Sequence, residues 1–384
     1  MRARIRPQRR RMHPKILRAL NLDSLFAISP LAPTPPLCYT PLVPRIIRLT
    51  APIFPQEDFE RAAFAAAGLQ PVVVDSADPD EIIAHVADAD VVALIGTKLP
   101  TRIVDAMDRC RLIARMGAGT DRIDVARATE RGIVVANTPY FCVDDQADHV
   151  MALLLALNRK LAHAQRSMAA GHFAEARRAA AAIQRLDTCT LGLIGFGRSA
   201  VQTARRARAF GMRVLATRRN RSAPDDDAVA LGVTMTDLDT LLRESDFVSL
   251  HVPLTDATRH MIDAAAIEKM KPTACLINTS RGGNVDEAAL IDALRRGRLA
   301  GAGIDTYESL DPFVDVAPPN LHPLSGMDNV ILTPHLAGHS VQAKEDMMTT
   351  AVQNIVDVLA GRWPSSENIV NPQVTPRFPL TPNS

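Results

Sequence analysis

The stretch GFGRSA at residues 195–200 sets two glycines one residue apart, directly after the apolar run LGLI and directly before RSAVQTARRARAF. In a strand, turn and helix, Gly195 permits the tight turn and Gly197 lets the backbone approach a pyrophosphate at the helix N-terminus. Ala200 still allows close packing of helix on strand. The chemistry is dinucleotide binding. The next apolar run ends in VLATRRNR, and Arg218 stands 21 residues after Gly197, where an NAD-binding fold carries the carboxylate that grips the ribose 2′-hydroxyl. That carboxylate is absent. Arg218, Arg219 and Arg221 offer cationic forks suited to a 2′-phosphate, so NADP(H) is favoured. NAD(H), held by its pyrophosphate alone, is the alternative.

Three later strand ends carry the other candidates. Arg281, in INTSRGGNVDEAAL, is placed to grip a carboxylate bidentately. Asp305, Glu308 and Asp311 follow the run AGAGI, and His335 follows NVILTP. A histidine kept protonatable by a carboxylate delivers a proton to a carbonyl oxygen. With a dinucleotide fold and an arginine, this makes a hydride-transfer site. The spacing His335 to His339 lacks the acids of a zinc motif, so no metal is expected. Asp225 to Asp227 reads as a solvated turn, and His149 and His251 read as packing or crevice-lining residues.

These residues need two α/β series to position them. From residue 44 the runs RIIRLT, PVVVD, DVVALIG, RLIARMG and RGIVVANTP alternate with helical stretches, the rhythm of an open parallel sheet. The stretch DDQADHVMALLLALNRKLAHAQ then reads as one buried helix joining two domains, with Asp144 and Asp145 as caps. A second series follows, with strands at TLGLIG, MRVLATR, DFVSLHVP, ACLINTS, AGAGIDTY and NVILTPH, and predicts a doubly wound nucleotide-binding domain. The last long helix ends at Gly361, and residues 372–384 read as a disordered tail.

Composition bounds the class. Hydrophobic residues make up 47% and charged residues 22% of the 384, as in a soluble globular protein. No run of 18 apolar residues occurs, so no membrane partner is expected. Five scattered cysteines without a CxxC pair argue against a zinc site or a disulfide framework and suit a reducing, cytoplasmic compartment. Eight of the Lys and Arg residues lie in the first twenty positions, which contain no acid, so the net charge of +2 hides an acidic body. Residues 1–43, basic and then Pro-rich, read as a disordered extension. Without a reading fold or aromatics they do not predict nucleic-acid binding.

Eight stretches in order carry a family resemblance: GAGTDRID, RGIVVANTP, ADHVMALLLALNRK, LGLIGFGRSA, SLHVPLT, INTSRGGNVDEAAL, GAGIDTYE and ILTPHLAG. Over residues 44–371 the chain resembles the D-isomer-specific 2-hydroxyacid dehydrogenases. The resemblance implies a doubly wound Rossmann cofactor domain at 146–335. A smaller flavodoxin-like α/β substrate domain would be built from 44–145 and the returning segment 336–371, in a homodimer. It implies that Arg281 binds a 2-oxo acid, that His335 is the acid/base, and that an acidic residue orients His335. Backbone amides around Ala118 and Gly119 would hold the substrate carboxylate, while Arg198, Ser199, Arg218, Val252, Thr279 and Asp305 line the dinucleotide.

Two departures from the family pattern matter. The orienting glutamate usually lies five residues after the aspartate matching Asp305; here that position is Leu310, leaving Asp311, one residue later, or Glu308. Family members acting on phosphoglycerate tend to carry arginine where this chain has Leu94, which points to a small unphosphorylated substrate. The expected reaction interconverts a 2-oxo acid and its D-2-hydroxy acid. The alternative from another class is a non-catalytic, dinucleotide-sensing dimer of the C-terminal-binding-protein type. A third is formate or phosphite oxidation on the same fold.

Overall fold

The computed structural model describes residues 43–51, 54–220, 225–313 and 322–383. Most of the expected extension at 1–43, together with Arg221, lies outside the described residues. The chain divides into two compact units, Met1–Phe141 with Lys344–Ser384, and Cys142–Ala343.

In the first unit, short runs of branched residues form β1 (Ile46–Leu49), β2 (Val72–Val74), β3 (Val91–Leu94), β4 (Leu112–Arg115) and β5 (Val134–Ala136). Between them run α1 (Asp58–Ala66), α2 (Pro79–Val86), α3 (Thr101–Asp105) and α4 (Val125–Glu130). All strands pair in parallel in the order β2-β1-β3-β4-β5. This is the flavodoxin-like order. Alternation sends Ile46 to one buried face and Ile47 and Leu49 to the other, as a sheet covered on both sides requires.

The second unit begins with α5 (Val143–Asn158), α6 (Leu161–Ala169) and α7 (Phe173–Arg178). Its sheet comprises β6 (Thr190–Ile194), β7 (Arg213–Thr217), β8 (Thr234–Met235), β9 (Phe247–Leu250), β10 (Cys275–Asn278), β11 (Gly301–Ile304) and β12 (Val330–Leu332). The helices are α8 (Arg198–Ala209), α9 (Asp226–Leu231), α10 (Leu238–Glu244), α11 (Ala264–Lys269) and α12 (Glu287–Arg295). The parallel order β12-β11-β10-β9-β6-β7-β8 reverses direction from β6, as in a Rossmann sheet. Asp225, Asp237, Asp263 and Asp286 start α9 to α12 by accepting an amide hydrogen bond from the residue three positions ahead. The final helix, α13 (Val341–Leu359), returns the chain to the first unit, where Met348, Val352 and Ile355 enter its core.

Several expectations change. The helix expected through residue 165 breaks at Lys160, which adopts a left-handed conformation (φ 55°) between α5 and α6. Asp144 and Asp145 occupy the first turn of α5 without capping it, and Asp144 pairs with Arg206. There they complement the helix dipole instead. Asp225, read as part of a solvated turn, is a helix cap. The two-residue edge strand β8 escapes a search for apolar runs. The units meet at 141/142 and 343/344, where the sequence suggested 145/146 and 335/336. The residues after 371 are packed: Arg377 donates to the carbonyls of Met107, Asp108 and Arg131, and Arg111 stacks 4.1 Å from the Phe378 ring. A guanidinium that satisfies carbonyls in the turns after α3 and α4 holds this tail in place.

Candidate active site

In the second unit every polar candidate follows the C-terminal end of a parallel strand. Residues 195–199 follow β6, Arg218 follows β7, Val252 follows β9, Thr279 and Arg281 follow β10, Asp305 follows β11, and His335 follows β12. Ligands of open α/β sheets bind at this edge.

Gly195 and Gly197 do different things. Gly195 has φ 95°, and a Cβ there would lie 2.4 Å from the His251 carbonyl oxygen, so the fold itself demands glycine. At Gly197 a Cβ would meet nothing within 4 Å. The space over the start of α8 is therefore open, as backbone approach to a pyrophosphate requires, and the residues present fit a dinucleotide. His251 underlies this turn, with its ring nitrogens 3.0 Å from the hydroxyls of Ser199 and Ser249. Burial pushes its imidazole down to about 4, so at neutral pH it is uncharged. Sequence reading missed this link because the two serines are separated by 50 positions.

Arg218 is half-buried and pairs with Asp225, while Arg219 is exposed. Thr279 is buried, and its carbonyl and hydroxyl accept hydrogen bonds from Gln146 at 3.0 and 3.2 Å. Asn284 joins the next loops by donating to the Val252 carbonyl and the Ser280 hydroxyl. Arg281 donates to the Ser280 carbonyl at 2.7 Å and precedes a turn whose first residue admits no side chain. A Cβ on Gly282 would sit 1.9 Å from the backbone of Tyr307.

Asp305 organises the acid/base candidate. Its carboxylate, 1% exposed, accepts the Thr333 hydroxyl at 2.6 Å and the amides of Leu336 and Ala337 at 2.8 and 3.0 Å. Its carbonyl accepts the His335 amide at 3.0 Å. Burial alone would raise this carboxyl, but hydrogen bonds from His149, Thr333 and these amides outweigh it and hold it below the usual range. His149 stands 3.0 Å from the Thr333 hydroxyl. Within this clamp His335 has a left-handed conformation, φ 57°, uncommon for a non-glycine residue.

Of the two acids considered for His335, Glu308 lies 2.6 Å from His260 Nε2. Asp311 accepts the Phe313 amide at 3.0 Å, and the Phe313 ring packs 5.9 Å from that of His335.

In the first unit, Ala118 and Gly119 follow β4. Asn137 donates to the Ala118 carbonyl at 2.6 Å, and the buried Arg115 donates to the Gly119 carbonyl at 2.8 Å. No described residue accepts a hydrogen bond from either amide. A turn fixed by its carbonyls and open at its amides suits an anion.

Fold and site together define an oxidoreductase that depends on a nicotinamide dinucleotide. The family model for the D-isomer specific 2-hydroxyacid dehydrogenase NAD binding domain matches residues 151–337. A glyoxylate reductase of Thermofilum pendens is 37% identical over 303 residues, covering 78% of this chain and 87% of that protein. A hydroxypyruvate reductase of Thermotoga maritima is 38% identical over 285 residues, covering 74% and 89%. A D-lactate dehydrogenase from Aquifex aeolicus, solved with NAD and lactic acid, superposes with a TM-score of 0.75 at 29% identity, covering 85% and 99%. The chain belongs to the D-isomer-specific 2-hydroxyacid dehydrogenase family, as an NAD(P)-dependent 2-oxo acid reductase. The non-catalytic sensor reading gains no support from these relatives. No helix among the described residues is long and apolar enough to cross a membrane.

Proposed function

We propose that the protein reduces a small, unphosphorylated 2-oxo acid to its D-2-hydroxy acid and prefers NADPH. Arg281 and His335 carry this reading, because both follow strand ends on the edge that bears the open dinucleotide turn. Gly195, Gly197, Arg198, Ser199, Val252, Thr279 and Asp305 line the dinucleotide, and Arg218 with Arg219 faces its 2′-phosphate. When bound, the nicotinamide supplies the hydride. His335 gives the proton to the substrate's carbonyl oxygen, and Asp311 orients its imidazole. Glu308, engaged by His260, leaves that role to Asp311. Arg281 anchors and polarises the substrate, and the Ala118 and Gly119 amides take its carboxylate. Buried Leu94 provides no charge for a phosphate.

A homodimer suits the exposed apolar side chains of Leu161, Met168 and Phe173 on α6 and α7, the second of which buries none of its residues. A cytoplasmic setting suits the thiols of Cys110 and Cys275, which burial pushes up to about 12 and about 11. Oxidation of NADPH and NADH should be followed with glyoxylate, hydroxypyruvate, pyruvate and a bulky 2-oxo acid. Faster turnover with NADPH and glyoxylate or hydroxypyruvate is expected. Binding of both cofactors without turnover on any acid would overturn the reading.

A further inference from the structure

The loop after β11 is one residue longer, between Asp305 and its acid, than the family spacing. Asp311 therefore cannot inherit its place from the strand end alone. Two hydrogen bonds anchor the loop to one side chain, which a histidine outside the loop also holds. Glu287 accepts the Glu308 amide at 3.0 Å and the Ser309 hydroxyl at 2.7 Å, and its Oε1 lies 3.0 Å from Nε2 of His322. His322 also stands 3.1 Å from the Ser309 hydroxyl, and its other ring nitrogen accepts the Leu324 amide at 3.2 Å. The Glu287 and His322 side chains are 14% and 7% exposed, so the pair is largely withdrawn from water.

Glu287 is not needed to start its own helix, since Asp286 already caps α12 through the Ala289 amide. A second imidazole grips the same loop: His260, itself left-handed at φ 48°, holds Glu308. Both grips fall two or three residues before Asp311, and Pro312 restricts the backbone of Asp311 from the other side. Beyond them, the Phe313 amide binds Asp311 while its ring packs on His335.

We propose that Glu287 is a positioning residue for the acid/base pair, fixing the lengthened loop so that Asp311 stays beside His335. This rests on the reading of Asp311 as the orienting acid. A displacement on the order of 1 Å at a reacting group lowers turnover by up to about a hundredfold, so a tenfold to hundredfold loss of kcat is expected for Glu287→Ala. The KM for NADPH stays unchanged. A neighbouring carboxylate favours the imidazolium, so loosening it moves the alkaline limb of the kcat/KM profile for reduction to lower pH. Glu287→Gln, whose amide oxygen still accepts from Ser309, recovers part of the loss.

The experiment measures kcat, KM and the pH profile for Glu287→Ala, Glu287→Gln and Asp311→Asn, with NADPH affinity by calorimetry. If Asp311→Asn moves the profile and Glu287→Ala does not, the positioning role is overturned and the Asp311 reading stands. If Asp311→Asn leaves kcat and the profile intact, the underlying reading has failed. Should Glu287→Ala not fold, Ser309→Ala removes one exposed anchor. It must shift the profile in the same direction, and an unmoved profile overturns the proposal.

Discussion

At the ends of the first unit's strands the groups on offer are backbone amides, those of Ala118 and Gly119; at the ends of the second unit's strands side chains join the open backbone turn of Gly197, among them Arg218, Arg281 and His335. Both sheets are parallel and buried on both faces, so fold alone does not separate them. The difference lies in what the loops hold still. In the first unit, Asn137 and Arg115 bind the carbonyls, and no described residue accepts from the amides. In the second, Asp305 consumes the amides after His335 and so fixes the backbone that carries the imidazole. Amides select a charge, whereas a held imidazole exchanges a proton, so loosening the first unit's amide turn should show in substrate affinity and loss of His335 in turnover.

The sharpest break in that contrast comes from His335→Ala, expected to lower kcat by about 10²–10⁴-fold while NADPH affinity, read by calorimetry, is retained. Turnover at the parental rate would remove His335 from the chemistry. Next are two glycine substitutions. Gly282→Ala forces a Cβ into the Tyr307 backbone and should abolish soluble protein or lower Tm sharply. Gly197→Ala enters open space and should leave Tm nearly unchanged while weakening NADPH binding; normal binding would show that the open turn is not the dinucleotide's.

His251 gives a smaller, pH-dependent effect. Its folded pKa, about 4, lies below the value of 6.5 for a free imidazole, so below pH 6.5 the unfolded chain takes up a proton that the folded chain refuses. Its contribution is complete above pH 6.5 and declines toward pH 4, by up to roughly 3 kcal/mol. His251→Gln should flatten this part of the stability profile in urea titrations; an unchanged slope would assign the acid sensitivity to other groups. The smallest effect is expected in the first unit. Asn137→Ala releases the Ala118 carbonyl, worth about 1 kcal/mol, so KM for the 2-oxo acid should rise about fivefold with kcat held. A fall in kcat instead would erase the division of labour between the units.

Much of this was legible in the sequence. Strand runs such as VVALIG and CLINTS declare themselves because parallel strands buried on both faces must be continuously apolar. The glycine turn, Arg281 and His335 follow from strand-end logic. What stayed hidden is held by contacts distant in the chain. His149 reaches Thr333 across 184 positions, and Glu287 reaches His322 across 35, where no local periodicity signals a partner. The left-handed Lys160 was illegible too, since lysine is an ordinary helix former.

The ordered C-terminal segment bears on how the chain is made. The first unit's sheet is synthesised early, but Met348, Val352 and Ile355 of α13 enter its core, and Arg377 closes the carbonyls of Met107, Asp108 and Arg131. Those parts leave the ribosome after the whole of the second unit. Domains fold as units during synthesis, so the cofactor unit, continuous from Cys142 to Ala343, is complete while its older neighbour still waits. The half of the protein translated first is the half that matures last, and through that interval its apolar strands are for chaperones to shield.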